Sequence, residues 1–502
     1  IPMTSPGVRI SQSLPALTLK ADLAEPVQPP TSSGGLLQQL ALALDRRGIR
    51  YCQWKGHWSA HRWSRGYGDV DLLVDHDAIA AFRGVAEQLG FKQAVPAGER
   101  QIPAIEHYFG FDPLVPRLLH LHVHYRLLLG EYWTRIYRIP IEHQILEQSV
   151  PGEPFRVPSP THTFLIFVLR MMLRQVGRPL LSVHARWLSG IQVPLGSLEA
   201  ASDTAELARL LDEHLSPIDL AFFDRCVRAL DGQSGRLDRL VLPWQLHLKL
   251  RAHVRRPPAR SMVTALTEKC LPPLLANQLA DARMHVSGGG VVVALIGDGS
   301  GTSTCARELH SWLAMELPTI RAHLGNPPRS LLTLVAGAAL KLRRGGERWL
   351  RRSPKAGSHL ELLRHVCTAR DRYRLYHKVR RFAAAGGVAV CERYPVGPDY
   401  AHGEPVIPEL LPKDAGRLAH RLRQAEASYY SRILAPDVLF VLKLDPALVL
   451  TRQPEEPLEP LRARAQIIRE AEWSATPAHL VDASQRMPDV LRQMKTAIWS
   501  IL

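Results

Sequence analysis

A chain of 502 residues, 46% hydrophobic and 22% charged, is too long for one core and too apolar for disorder, so roughly two or three domains are expected. A net charge of +16 and a pI near 9.8 favour an anionic partner: a nucleotide, a nucleic acid or a membrane surface. Six scattered cysteines without a C-x-x-C pair argue against a disulfide framework or a zinc-finger site and fit a reducing cytoplasm.

Residues 1–36 are rich in Pro, Ser and Gly and read as a disordered leader. Helical apolar spacing follows from Leu37 to Gly48, and a small α/β domain is expected over 37–158. Within it, Gly68–Asp77 (GDVDLLVDHD) alternates as a strand, Ala78–Gly90 reads as an amphipathic helix, and Leu118–Leu128 (LLHLHVHYRLL) as a second strand. From 159 to 285 apolar residues recur at helical spacing, which predicts a helical segment. Ser287–Gly290 (SGGG) reads as a hinge.

Strand-like and helix-like runs alternate from 286 to 502: VVVALI, GGVAVCERY, DVLFVLKLD and HLVDAS are the strands. This pattern predicts a parallel sheet with helices on both faces. No apolar run reaches the roughly 18–20 residues that span a bilayer. LLTLVAGAAL, which runs into a basic stretch at Lys341, reads as a core helix with a solvated basic end. The alternative is peripheral contact with an anionic membrane. Basic residues lack aromatic interleaving, so nucleic acid is a weak reading.

The most informative stretch is Val291–Thr304, VVVALIGDGSGTST. A hydrophobic strand, a glycine-rich loop and a helix read from Ala306 make the arrangement that cradles a phosphate. The phosphate-binding candidates are Gly297, Asp298, Gly299, Ser300, Gly301, Thr302, Ser303 and Thr304. The pattern G-x-x-x-x-G-K-[ST] is broken twice: one residue is missing between the glycines, and Thr302 stands where lysine belongs. A hydrogen bond to a charged group contributes about 1.5–3 kcal/mol, so the loss corresponds to one or two powers of ten in binding. Ser303 retains a hydroxyl that can ligate Mg²⁺.

Further candidates follow in order. Arg370 and Arg372 lie in CTARDRY, as acceptor-binding cations. Glu392, Arg393 and Tyr394 end the strand VAVCERYPV, where functional groups gather. Arg462, Arg464 and Arg469 would form a cationic lid. With these motifs in this order, residues 286–502 resemble the thymidylate kinase family. HLGNPP (His323–Pro328) and the ARDRY and ERYP motifs are similar to a divergent subgroup often encoded beside bacterial exopolysaccharide genes. The resemblance implies a P-loop kinase fold, Mg²⁺, and ATP or another nucleotide. It also implies catalytic roles for Glu392 and Arg393 and acceptor contacts by Arg370, Arg372 and Tyr394.

In the N-terminal part, Asp69 and Asp71 stand two apart on a strand and so share one face, as carboxylates that hold divalent metals must. With the upstream WKG and the later HLHVHYRLL, this region resembles uncharacterised bacterial nucleotidyltransferase-like proteins. The resemblance implies metal binding by Asp69 and Asp71 and a triphosphate contact by Lys55. A third carboxylate is usual there; His122 takes its place, with His124 on the same face. A pair of packed strand histidines is the plain alternative.

Thr302 and His122 together weigh toward a nucleotide-responsive regulator or scaffold for polysaccharide assembly, with a cyclic dinucleotide among its candidate ligands and polysaccharide-assembly proteins among its partners. The alternative is an active Mg²⁺-dependent phosphotransferase that moves the γ-phosphate of ATP to a nucleotide or sugar phosphate.

Overall fold

The computed structural model describes residues 35–96, 102–130, 137–174, 195–254, 283–286, 288–297, 301–349, 358–395, 407–411, 416–444, 466 and 478–502. The expected leader and the lid arginines Arg462, Arg464 and Arg469 lie outside the described residues, as do Asp298, Gly299 and Ser300. The chain is mixed α/β.

The first sheet takes β1 (Tyr51–Lys55), β2 (Asp69–Val74), β3 (Lys92–Pro96), β4 (Ile105–Gly110), β5 (Leu119–His124) and β8 (Met284–Val286) in the order β1-β2-β5-β4-β3-β8. Only β2 and β5 run parallel; the other pairs are antiparallel. Alternation sorts β2 into two faces. Val70, Leu72 and Val74 pack with helices α1 (Leu36–Arg46) and α2 (Ile79–Gln88). Asp69, Asp71 and Leu73 face the other way, where Leu73 meets the helical segment. That segment contains α3 (Pro160–Leu173), α4 (Thr204–His214), α5 (Leu220–Leu230) and α6 (Arg236–Lys249). A two-stranded ribbon, β6 (Leu128–Leu129) with β7 (Tyr137–Arg138), joins the same core.

The second sheet is parallel throughout, in the order β10-β11-β9-β12-β13. Its strands are β9 (Val292–Ile296), β10 (Thr319–His323), β11 (Val388–Glu392), β12 (Val438–Lys443) and β13 (Ala478–Asp482). The central strands are apolar and buried up to their carboxyl ends, where β11 finishes on the buried Glu392 and β12 on the partly buried Lys443, as a sheet covered on both faces requires. Val293 and Leu295 of β9 pack toward α7 (Thr302–Leu313) and α10 (Met487–Ile501). Val292, Ala294 and Ile296 pack toward α9 (His359–Ala384). Helices therefore cover both faces.

Three expectations are corrected. The helical segment does not run to 285, because β8 returns to pair with β3 and closes the edge of the first sheet. The glycine run is not an open hinge: a Cβ on Gly288 would lie 2.3 Å from the Leu502 carbonyl, and one on Gly290 2.2 Å from two carbonyls. It is a close-packed crossing. Finally, α8 (Leu331–Trp349) is not a core helix with only its basic end in water. Thr333, Ala336 and Leu340 are buried, but Leu331, Leu332, Leu334, Val335 and Leu342 are exposed beside Lys341 and Arg344. No helix among the described residues is long and apolar enough to cross a membrane.

The two halves share one core. Ala94, Phe109, Leu118, Met284 and Val286 join the cluster formed by α7, α10 and the second sheet. The Trp499 indole donates to the Gly90 carbonyl at 2.9 Å, and Phe111 meets Trp312 edge to face at 5.4 Å.

Candidate functional site

At the carboxyl ends of β9 and β11 the chain order of the sheet reverses, the position where open parallel sheets bind ligands. Helix α7 begins at Thr302, four residues before the start read from the sequence. Gly301 caps it at φ 86°, a left-handed conformation that favours glycine. The first intrahelical bond runs from the Cys305 amide to the Gly301 carbonyl at 2.9 Å. By helix geometry the amides of Thr302, Ser303 and Thr304 lie in the first turn, without intrahelical acceptors, at the positive end of the dipole. The Thr302 hydroxyl donates back to the Gly297 carbonyl at 2.8 Å and ties the two ends of the loop together.

Glu392, 1% exposed, ends β11. Its Oε2 accepts from the Ser303 hydroxyl at 2.6 Å and its Oε1 from Arg321 Nε at 2.6 Å. Burying a carboxylate is costly unless it is paired and hydrogen-bonded, and both conditions are met here. Arg321 comes from β10, where no strand is expected from the sequence. The register that sets His323 opposite Glu392 brings the guanidinium in. Arg393 follows at φ 49°, an uncommon conformation for a non-glycine residue and one that gathers at functional sites.

Other motif residues are used differently from the expectation. Arg372 is buried; its Nε donates to the Leu324 carbonyl at 2.7 Å, its Nη2 to Gly325 at 3.3 Å and its Nη1 to the Tyr430 hydroxyl. It staples the turn after β10 onto α9. Tyr394 is a core residue whose hydroxyl donates to the Leu434 carbonyl at 2.7 Å. Asp371, unremarked in the sequence, is buried and accepts from the Ser330 amide at 2.8 Å and the Thr333 hydroxyl at 2.6 Å, anchoring the start of α8. Arg370 is half-buried on α9.

The second constellation lies on the first sheet. Parallel register sets Asp69 opposite His120 and Asp71 opposite His122. The Asp69 Oδ1 lies 2.7 Å from His120 Nδ1, whose ring continues to His107 Nδ1 at 3.1 Å. Asp71 Oδ1 meets His122 Nδ1 at 2.9 Å, Lys55 Nζ at 2.8 Å and His124 Nε2 at 3.4 Å. Burial alone would raise both carboxyls. Hydrogen bonding and charge from His120 bring Asp69 below its usual value, and Lys55 with His122 and His124 hold Asp71 well below it. Burial would lower His120, but Asp69 outweighs it and the imidazole is raised. Glu316, just beyond α7, adds its charge to His120, so the C-terminal half reaches this cluster.

His120 and His107 were missed. His120 was legible, since the same period of two that selects His122 and His124 includes it. His107 on β4 carries no local signal. Lys55, expected to meet a triphosphate, is paired with Asp71. No protein-family model matches this chain, and no curated protein matches it.

Proposed function

We propose that the C-terminal half is a P-loop, thymidylate kinase-like domain that binds a nucleotide with Mg²⁺ and has given up efficient phosphoryl transfer. The protein then serves as a nucleotide-responsive regulator or scaffold, in bacterial exopolysaccharide assembly on the strength of the subgroup resemblance. The observation that carries this reading is the 2.6 Å contact between the hydroxyl of Ser303, an exposed residue, and the buried Glu392 carboxylate beside the first turn of α7. A hydroxyl and a carboxylate are the hard oxygen donors that suit Mg²⁺. When bound, Mg²⁺ would neutralise charge on the phosphates. Amides at 301–304 supply the anion-binding end. Arg321 brings a full positive charge to the same carboxylate, where Thr302 offers only a hydroxyl already bonded to Gly297.

Loss of catalysis is supported by the uses that Thr302, Arg372 and Tyr394 serve. The alternative, an active phosphotransferase, draws its support from Arg321 as a replacement cation. In the N-terminal half we read a nucleotidyltransferase-like scaffold whose paired carboxylates have been captured by histidines and Lys55.

Isothermal titration with ATP, GTP, dTMP and a cyclic dinucleotide, alongside a coupled ADP-release assay, tests the proposal. At least one nucleotide is expected to bind in a Mg²⁺-dependent manner without ADP release. Thr302→Lys should tighten triphosphate binding by about 10-fold or more. Wild-type turnover would favour the phosphotransferase, and no binding at millimolar nucleotide would sink both readings.

A further inference from the structure

We propose that Asp71, His122 and His124 form a site for one divalent transition-metal ion of the zinc class, independent of the nucleotide site. All three side chains are buried, and their donor atoms lie within 4.8 Å of one another. Zinc bound to nitrogen and oxygen at about 2.0–2.1 Å in a tetrahedron sets neighbouring donors about 3.3 Å apart. The observed separations from Asp71 Oδ1, 2.9 Å to His122 Nδ1 and 3.4 Å to His124 Nε2, bracket that spacing.

The sequence builds this arrangement economically. His122 and His124 are two apart on β5 and so share a face, and the parallel register places Asp71 of β2 directly opposite His122. Their rings are held from the side. His107 stacks on His122 at 4.5 Å between centroids, and Trp54 meets His124 edge to face at 5.0 Å. The His107–His120–Asp69 relay lies beside them. Such supporting groups fix ligand orientation in metal sites.

Donor chemistry selects the ion. Two imidazoles and one carboxylate suit zinc, cobalt, nickel or iron, whereas Mg²⁺ prefers oxygen ligands. Lys55 Nζ, 2.8 Å from Asp71 Oδ1, already places one cation on the shared oxygen. The ammonium competes with the ion and must withdraw when it binds. With three protein ligands among the described residues, a fourth position is left for a water or substrate, the condition for a metal that acts on either.

The test uses the full chain. Zinc content after dialysis is measured by mass spectrometry, zinc affinity by competition with a chromophoric chelator, and geometry by the visible absorption of the cobalt-substituted protein. About one zinc per chain is expected, with tetrahedral cobalt bands and no competition from millimolar Mg²⁺. His122→Ala and His124→Ala should each lose affinity by about 10-fold or more, the scale seen when metal-site groups are removed. Because removing a buried imidazole also bears on folding, Lys55→Ala provides the independent arm: removing the competing ammonium should tighten zinc binding. Wild type that retains no zinc against the chelator overturns the proposal. So do histidine variants that bind like wild type, or a Lys55→Ala variant that binds zinc more weakly.

Discussion

Glu392→Gln should abolish the Mg²⁺ dependence of nucleotide binding and weaken affinity in Mg²⁺ by about 10- to 100-fold, each factor of ten being about 1.4 kcal/mol. The substitution keeps the shape of a side chain that is 1% exposed and removes its charge. Among the described residues, the carboxylate offers the ion an oxygen donor beside the Ser303 hydroxyl 2.6 Å away. Glutamine is a poor Mg²⁺ ligand beside a guanidinium, and Arg321 loses its counter-ion. The freed arginine attracts phosphate more strongly, so binding without Mg²⁺ should persist or improve. That split separates loss of an ion site from general damage. Ser303→Ala should show the weaker form of the same pattern, because it removes one donor and leaves the Glu392–Arg321 pair. Titrations with and without Mg²⁺, on variants that melt within a few degrees of wild type, decide the matter. Unchanged Mg²⁺ dependence in Glu392→Gln would remove Glu392 from the site.

The largest stability effect is expected from Gly290→Ala. Gly290 precedes β9 and lies where the end of α9 turns into β11. A Cβ there would stand 2.2 Å from the carbonyls of Ala383 and Gly387 and 2.8 Å from the Gly387 amide. These are backbone atoms of the last turn of α9 and of the turn that follows it, so no side chain can swing aside. Overpacking typically costs about 1–3 kcal/mol, and a clash with fixed backbone belongs at or above the top of that range. Gly289→Ala is the matched control. Its φ of 94° makes alanine strained, but nothing lies within 4 Å of the added carbon, so about 1 kcal/mol is expected. Urea denaturation should therefore rank wild type, Gly289→Ala and Gly290→Ala in that order of falling stability. Equal midpoints for the two variants would show that the crossing is loose. The link to function is direct: this crossing sets β9 beside β11, and that register holds Ser303 against Glu392.

Much of the second sheet was legible because β9, β11 and β12 are short runs dominated by buried apolar residues, with a charged residue only at the end of β11 and of β12. A run such as Thr319–His323, half polar and at a sheet edge, gives no such signal; its partner fixes it. The same holds for β8, three residues whose pairing with β3 spans nearly two hundred positions of chain. Within the site, Ser303 and Glu392 were readable from motif order. Arg321 was not, since a guanidinium reaches Glu392 only through strand register. Arg372 and Tyr394 show the converse failure. Motif position says where a side chain starts and nothing about whether its polar atoms meet a ligand or a carbonyl such as those of Leu324 and Leu434.

The central claim is that the end of β9 and the start of α7 hold a phosphate with a metal ion beside Glu392. Amide hydrogen exchange over residues 297–305, with and without Mg²⁺ and the tightest-binding nucleotide, addresses it most directly. Slowed exchange is expected in that segment of the wild type with nucleotide, and in Mg²⁺, at a nucleotide concentration near the wild-type Kd, a much smaller effect in Glu392→Gln. Exchange left unchanged by the nucleotide, or slowed equally in the variant in the presence of Mg²⁺ at that concentration, would contradict it.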